Sequence, residues 1–330
     1  MSTRQTETAA GSAGAVAGTA PAVKPAVGTA FEPAVEPAFE PACEPAWEPV
    51  VGRSLRLELL GKPQRIYVEE AGSGIPLVCL HTAGSDTRQY RALMNDPDIL
   101  SRYRVIAFDL PWHGKSSPPA GWHLGEYRLT SDDYVAMVMG VCRALQLDKP
   151  VVMGCSIGGR IVLHLALEHP HAFRALIGLQ SGAHVDPYYD VQWLHRPDVH
   201  GGEVCAGIVS GLIGPNAPEA DRWETLWHYM QGGPGVFKGD LYFYKIDGNV
   251  RERVSAIDTR QCPLYLLTGE YDYSCNPEDT RELERRIAGA KAVIMPGLGH
   301  FPMSEDPQAF LAHLKPVLDE ISTHPARRPA

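Results

Sequence analysis

No part of the 330-residue chain sustains an apolar run of eighteen residues, so nothing in it is expected to span a bilayer. The polar start around Arg4 is not followed by the apolar stretch that an export signal needs, and the expected location is the cytoplasm. Cysteine is sparse and poorly placed for cross-links. Cys43, Cys79, Cys142, Cys155, Cys205, Cys262 and Cys275 are odd in number, scattered, and never spaced C-x-x-C. That pattern excludes a disulfide framework and offers no zinc site, so no metal is expected. Several of these residues lie inside apolar runs, as buried thiols do in a reducing compartment. Basic blocks are missing as well. The net charge is −9, of which residues 1–50 carry −4 and the remainder −5. A mild acidic balance of this kind argues against nucleic acid or an anionic membrane as the main partner, and leaves a small molecule as the expected one.

The first fifty residues differ in character from the rest. Glu-Pro recurs at 32, 36, 40, 44 and 48, the first four in units of Glu-Pro-Ala-Xaa. Proline at every fourth position removes donors and blocks a helix, so residues 1–52 are expected to form an extended, disordered tail. It reads as a passive leader rather than as a docking segment built on Phe31, Phe39 and Trp47.

From Arg53 onward, strand and helix signals alternate. Residues 55–59 and 65–72 suit an entry hairpin, and 76–81, 104–111, 150–156, 173–182, 262–272 and 291–300 are apolar runs typical of buried parallel strands. Helices are expected over 86–100, 131–147, 157–170, 277–288 and 307–321. The alternation predicts an α/β fold, with a mostly parallel central sheet covered by helices on both faces. Right-handed crossovers then line up the carboxyl ends of the strands along one edge, where sites form. Residues 183–258 interrupt the pattern with helix-like, aromatic-rich sequence and are expected to cap that edge. The core is thus 53–182 with 259–322, and 323–330 is a short C-terminal tail.

Gly154-Cys155-Ser156-Ile157-Gly158 reads G-x-S-x-G, between an apolar strand and an apolar helix. A tight strand-to-helix turn needs small residues around the serine, and it presents the hydroxyl beside a helix N-terminus. A serine needs a base, and the base needs an orienting acid. His300, in Gly297-Leu298-Gly299-His300, ends the last apolar run in a glycine-tightened loop on the same edge as Ser156. Asp272 ends the preceding run. Glu270 lies two residues before it, and strand alternation does not separate the two. Asp272 is preferred because it lies past the strand end, where a loop can turn it toward His300.

The order Ser156, Asp272, His300 is that of α/β-hydrolase triads. Over residues 53–322 the chain resembles that superfamily: His81-Thr82-Ala83-Gly84 resembles its H-G-x-x loop, and Asp109 to Ser116 resembles its D-x-x-G-x-G-x-S segment. Thr82 and Trp112 stand where glycine is commoner. The resemblance implies the α/β-hydrolase fold with a helical cap, no cofactor, and an oxyanion hole made by the backbone amides of Ile157 and Ala83. It further implies a serine hydrolase acting on a carboxylic ester or lactone through an acyl-enzyme on Ser156. The aromatic residues Trp112, Trp193, Trp223 and Trp227 are expected to contact a small apolar or aromatic substrate, or else to pack the cap. Amide or thioester hydrolysis would use the same groups. Carbon–carbon bond hydrolysis of aromatic ring-cleavage products is a further alternative, less favoured because Phe301 follows His300 where that subfamily commonly has tryptophan. A ligand-binding module that keeps the fold without the chemistry is the alternative outside catalysis.

Overall fold

A computed structural model describes residues 46–185 and 201–323. Most of the expected N-terminal tail, Trp193 and the last seven residues lie outside the described residues. The expected hairpin and the six apolar runs of the sequence form eight strands: β1 (Val51–Leu59), β2 (Lys62–Gly72), β3 (Ile75–Leu80), β4 (Tyr103–Phe108), β5 (Val151–Cys155), β6 (Ala175–Leu179), β7 (Leu264–Gly269) and β8 (Lys291–Met295). They lie in one sheet in the order β1-β2-β4-β3-β5-β6-β7-β8. β2 runs antiparallel to both β1 and β4, and every other pair is parallel. The β1–β2 turn at Leu60 and Gly61 has both φ values positive (54° and 68°), the two-residue geometry that matches strand twist. β1 begins two residues before Arg53, where the tail was expected to end.

Period-two alternation splits the strands between two cores. Leu77, Cys79, Val105, Ala107, Val151 and Met153 face one side, with Phe310 and Leu314 of the last helix. Val78, Leu80, Ile106, Phe108 and Val152 face the other, with Val138 and Ile161. β5, β6 and β7 are buried along their whole length, so their sequences run apolar almost without interruption. Each fully buried aliphatic chain contributes about 1.5–3 kcal/mol.

The helices are α1 (Pro97–Leu100), α2 (Ser131–Ala144), α3 (Ile157–Glu168), α4 (Gly201–Ser210), α5 (Glu219–Met230), α6 (Val236–Tyr242), α7 (Pro277–Arg286), α8 (Pro302–Glu305) and α9 (Pro307–Thr323). The helix expected over 86–100 is instead three short pieces, two 3-10 turns and α1. Pro97 is the reason: it drives Asp96 to an extended conformation (φ −82°, ψ 109°), and Asp96 then caps a new helix by accepting from Ile99 N. The single turn α8, directly after His300, was not expected. Helices α4 to α6 form the insertion, which rejoins the core where Val250 N donates to Ala183 O at 3.0 Å. Among the described residues no helix is long and apolar enough to cross a membrane.

Candidate active site

β5 delivers Ser156 to the N-cap of α3 with φ 59° and ψ −111°, a backbone conformation that side chains rarely adopt. The turn closes because its neighbours lack Cβ atoms: one at Gly154 would overlap the Gly158 carbonyl, and one at Gly158 would lie 2.7 Å from Leu80 O. Ser156 N donates to Leu179 O, while the hydroxyl makes no capping bond to its own helix. A serine at an N-cap normally caps; this one keeps its oxygen available. Backbone strain of this kind costs about 1–3 kcal/mol. Ser156→Gly is therefore expected to raise stability by about 1 kcal/mol, read as an increase in the denaturant midpoint. A lower midpoint would mean that the turn is not strained.

His300 Nδ1 donates to Asp272 Oδ2 at 2.9 Å, and both side chains are buried. The carboxylate can only accept, so Nδ1 carries the proton and Nε2 is the basic nitrogen. Asp272 is itself held, since Oδ1 accepts from Ser274 N at 2.8 Å and Cys275 N at 3.1 Å. Glu270 is exposed, and its carboxylate accepts from Gly297 N at 3.0 Å. Asp272, and not Glu270, is therefore the partner of His300.

The loop carrying His300 is fixed from three directions. His300 N donates to Leu212 O at 2.9 Å, and the Cys155 thiol donates to His300 O at 3.3 Å. Glu305 of α8 takes the amides on either side of the histidine, Gly299 N and Phe301 N, and also that of Gly214 in the insertion. Sequence reasoning missed Glu305. Its spacing of five and four residues from His300 and Phe301 was a weak signal that only the turn α8 makes meaningful.

Burial pushes the Glu305 carboxyl up from 4.5 to about 7, against three amide donors that favour the ionised form. A pKa higher in the folded than in the unfolded chain gives stabilisation that is complete below the unfolded value and lost as pH rises through 7. Wild type is thus expected to lose up to roughly 3 kcal/mol relative to Glu305→Gln between pH 4.5 and pH 8. Parallel melting curves for the two proteins across that range would contradict this assignment.

Ser156 and His300 open onto one cavity of about 20 Å³. Its apolar walls come mostly from the insertion, with Ile208 and Val209 of α4, Leu212 just after it, and Phe237 and Leu241 of α6; Phe301, beside the histidine, adds a wall from the core. The hydroxyls of Thr82, Tyr229, Tyr244 and Ser274 add polarity, and Ala83 completes the lining on the core side. Burial raises the pKa of both tyrosines well above the ordinary value, so each remains a hydroxyl donor. Tyr244 sits in a π-helical turn (Phe243–Asp247) that follows α6, a local widening of the helix that often accompanies sites. Phe237, Leu241 and Tyr244 recur at helical spacing, the signal from which this wall could have been read.

The tryptophans lie elsewhere. Trp223 and Trp227 are 58% and 57% exposed, because α5 turns Leu226 and Tyr229 inward and leaves the two indoles on its outer face. They neither line the cavity nor pack the cap. Trp112, with φ 79°, stacks on Tyr127 at 5.1 Å and lines a separate groove of about 240 Å³ with Trp122 and Lys238. α6 stands between the groove and the cavity: Gly235 and Lys238 face the groove, Phe237 and Leu241 the cavity.

Comparison with known proteins agrees with this geometry. Residues 75–199 match the family described as alpha/beta hydrolase fold. The chain is 25% identical over 264 residues to a pimeloyl-[acyl-carrier protein] methyl ester esterase of Neisseria meningitidis serogroup B, covering 71% of this chain and 88% of that protein. It is 32% identical over 179 residues to a 2-hydroxy-6-oxo-2,4-heptadienoate hydrolase of Pseudomonas putida, covering 53% and 51%. A thermophilic esterase from Thermogutta terrifontis superposes with a TM-score of 0.70 at 19% identity, over 82% of this chain and 100% of that one. With its sheet order, its strained serine turn and these similarities, the chain has the α/β-hydrolase fold.

Proposed function

We propose that the protein is a serine hydrolase that cleaves a carboxylic ester or lactone of a small, neutral, apolar substrate. The observation that carries this reading is the His300–Asp272 hydrogen bond opening onto the same cavity as a serine held at a strained helix N-cap. In this reading Ser156 attacks the carbonyl while His300 Nε2 takes its proton, and Asp272 stabilises the imidazolium that forms. The oxyanion is received by the amides of Ile157, at the start of α3, and of Ala83. His300 then protonates the leaving group and activates a water that releases the acid. The ester name of the Neisseria relative supports this chemistry.

The wall supports the substrate class. Among the described residues no Lys, Arg, Asp or Glu lines the cavity, so a charged acyl chain would be desolvated there without a partner. This weighs against the carbon–carbon bond reading that the Pseudomonas relative suggests, since a dienoate carries a carboxylate. A cavity of about 20 Å³ holds about one water, so the insertion's side chains must part for a substrate to enter. A panel of neutral alkyl and aryl esters, lactones, anionic esters and a vinylogous diketone acid tests the reading. Turnover is expected on neutral short-chain esters or lactones. Turnover confined to the diketone acid, or found nowhere, would sink it.

A further inference from the structure

Asp240 of α6 takes no part in the chemistry above, yet it is fully buried and serves three donors. Its Oδ2 accepts from Gly84 N at 2.8 Å and from His113 Nε2 at 2.7 Å, and its Oδ1 accepts from Tyr127 Oη at 2.8 Å. One side chain of the insertion thus ties together the loops after β3 and β4 and the segment before α2.

The hydrogen bonds fix the state of both nearby histidines. His113 Nδ1 faces Pro111 O at 3.0 Å and Nε2 faces Asp240, two acceptors, so the ring needs a proton on each nitrogen. Burial alone would lower its pKa, but the Asp240 charge and hydrogen bond more than offset this and the net shift is upward. His81, 4.7 Å away between ring centroids, is in the opposite state. Its Nε2 accepts from Leu110 N at 3.1 Å, so its proton is on Nδ1, which donates to Thr82 O at 2.8 Å. Burial, then the neighbouring His113 charge, lowers its pKa to about 4.

Residues 82–85 form a turn closed by Ser85 N donating to Thr82 O, with Gly84 at φ 69°. Thr82 N is bound to Gln89 Oε1 at 3.0 Å, and Gly84 N is bound to Asp240. With these amides and that of Ser85 engaged, the amide of Ala83 is the one left for a ligand, and Ala83 lines the cavity beside Ser156.

We propose that Asp240, paired with a protonated His113, is a positioning residue for the oxyanion site, holding Gly84 N so that the turn aims the Ala83 N–H at the reacting oxygen. This rests on the acyl-transfer reading given above. Gly84 also lies close to Phe237, three residues before Asp240, so two side chains of α6 meet this turn.

The test compares wild type, Asp240→Asn and Asp240→Ala in two assays: turnover of the best neutral ester, and inhibition by an alkylboronic acid of the same chain length. The boronate adduct on serine places an oxygen where the oxyanion forms, whereas ground-state binding reads mainly the apolar wall. Asp240→Asn keeps the shape but replaces a charge-assisted acceptor with a neutral one, and its kcat is expected to fall about tenfold. Asp240→Ala is expected to lose about 100-fold, comparable to losing one oxyanion donor. Boronate affinity should fall by similar factors, with KM within about threefold of wild type. Unchanged kcat and boronate affinity in a folded Asp240→Asn, or a rise in KM alone, would overturn the assignment. If wild type itself neither turns over esters nor binds the boronate, the acyl-transfer reading falls and the positioning role with it. The two failures are distinguishable, because one is read on wild type and the other only on the variants.

Discussion

Ser156→Ala is expected to lower kcat on any accepted ester by a factor of about 10⁵–10⁶. The loss should come without unfolding. Alanine keeps the Cβ, so the strained turn at φ 59° is neither relieved nor worsened, and the hydroxyl makes no capping bond whose loss would be felt. A residual rate above the uncatalysed one is also expected, since the amides of Ile157 and Ala83 and the apolar wall remain. A thermal midpoint within about 2 °C of wild type, with turnover gone, separates chemistry from folding. Retained turnover would mean that another nucleophile acts. Cys155 is adjacent, but burial holds it as a thiol, and its hydrogen is directed to His300 O.

The second large effect is expected at Asp272. Asp272→Asn is nearly isosteric, but three N–H donors now compete for one carbonyl oxygen. Ser274 N and Cys275 N hold one side of the group, so the oxygen settles there and the new NH₂ faces His300. Nδ1 must then accept, which moves the ring proton to Nε2 and leaves no base for Ser156. A loss of about 10⁴ in kcat is expected, with KM little changed. Glu270→Gln is the matched control and should stay within about threefold, because that side chain is exposed and bonded to Gly297 N. If the two variants behaved alike, the assignment of the acid would be wrong.

The contrast between these two carboxylates marks where sequence reasoning ends. Both lie at the end of one apolar run, two residues apart, and extended geometry puts them on the same side. Only the loop after β7 separates them, by turning Asp272 inward beneath the amides of residues 274 and 275. β5, β6 and β7 were legible because they are buried on both faces and carry unbroken apolar runs that local propensity and tertiary burial both favour. Ser156 was legible for a related reason: its turn demands glycine at fixed offsets, and steric demand writes itself into sequence.

Other features were not legible. The expected helix over 86–100 breaks because Asp96 precedes a proline, a local effect stronger than the apolar spacing around it. Trp223 and Trp227 were expected at the substrate or in the cap core, but a helix has two faces and composition does not say which one docks. Leu226, Tyr229 and the 2.9 Å Thr225–Ser304 hydrogen bond set the rotation of α5. The Asp240–His113 pair joins residues 127 apart in sequence, and no spacing rule connects them. Trp112 illustrates the same point: a bulky residue where glycine is commoner is accommodated at φ 79° because Tyr127 and Trp122 pack around its ring.

A fluorophosphonate with a small alkoxy group reads the account's centre most directly. Incubated with wild type and followed by peptide mass mapping, it should add one phosphonyl group per chain, on Ser156 alone. Labelling should disappear in Ser156→Ala and slow by orders of magnitude in Asp272→Asn. A wild-type protein that stays unmodified, or carries the group on any other residue, would contradict the claim that a serine hydroxyl, an imidazole and a carboxylate act together at this sheet edge.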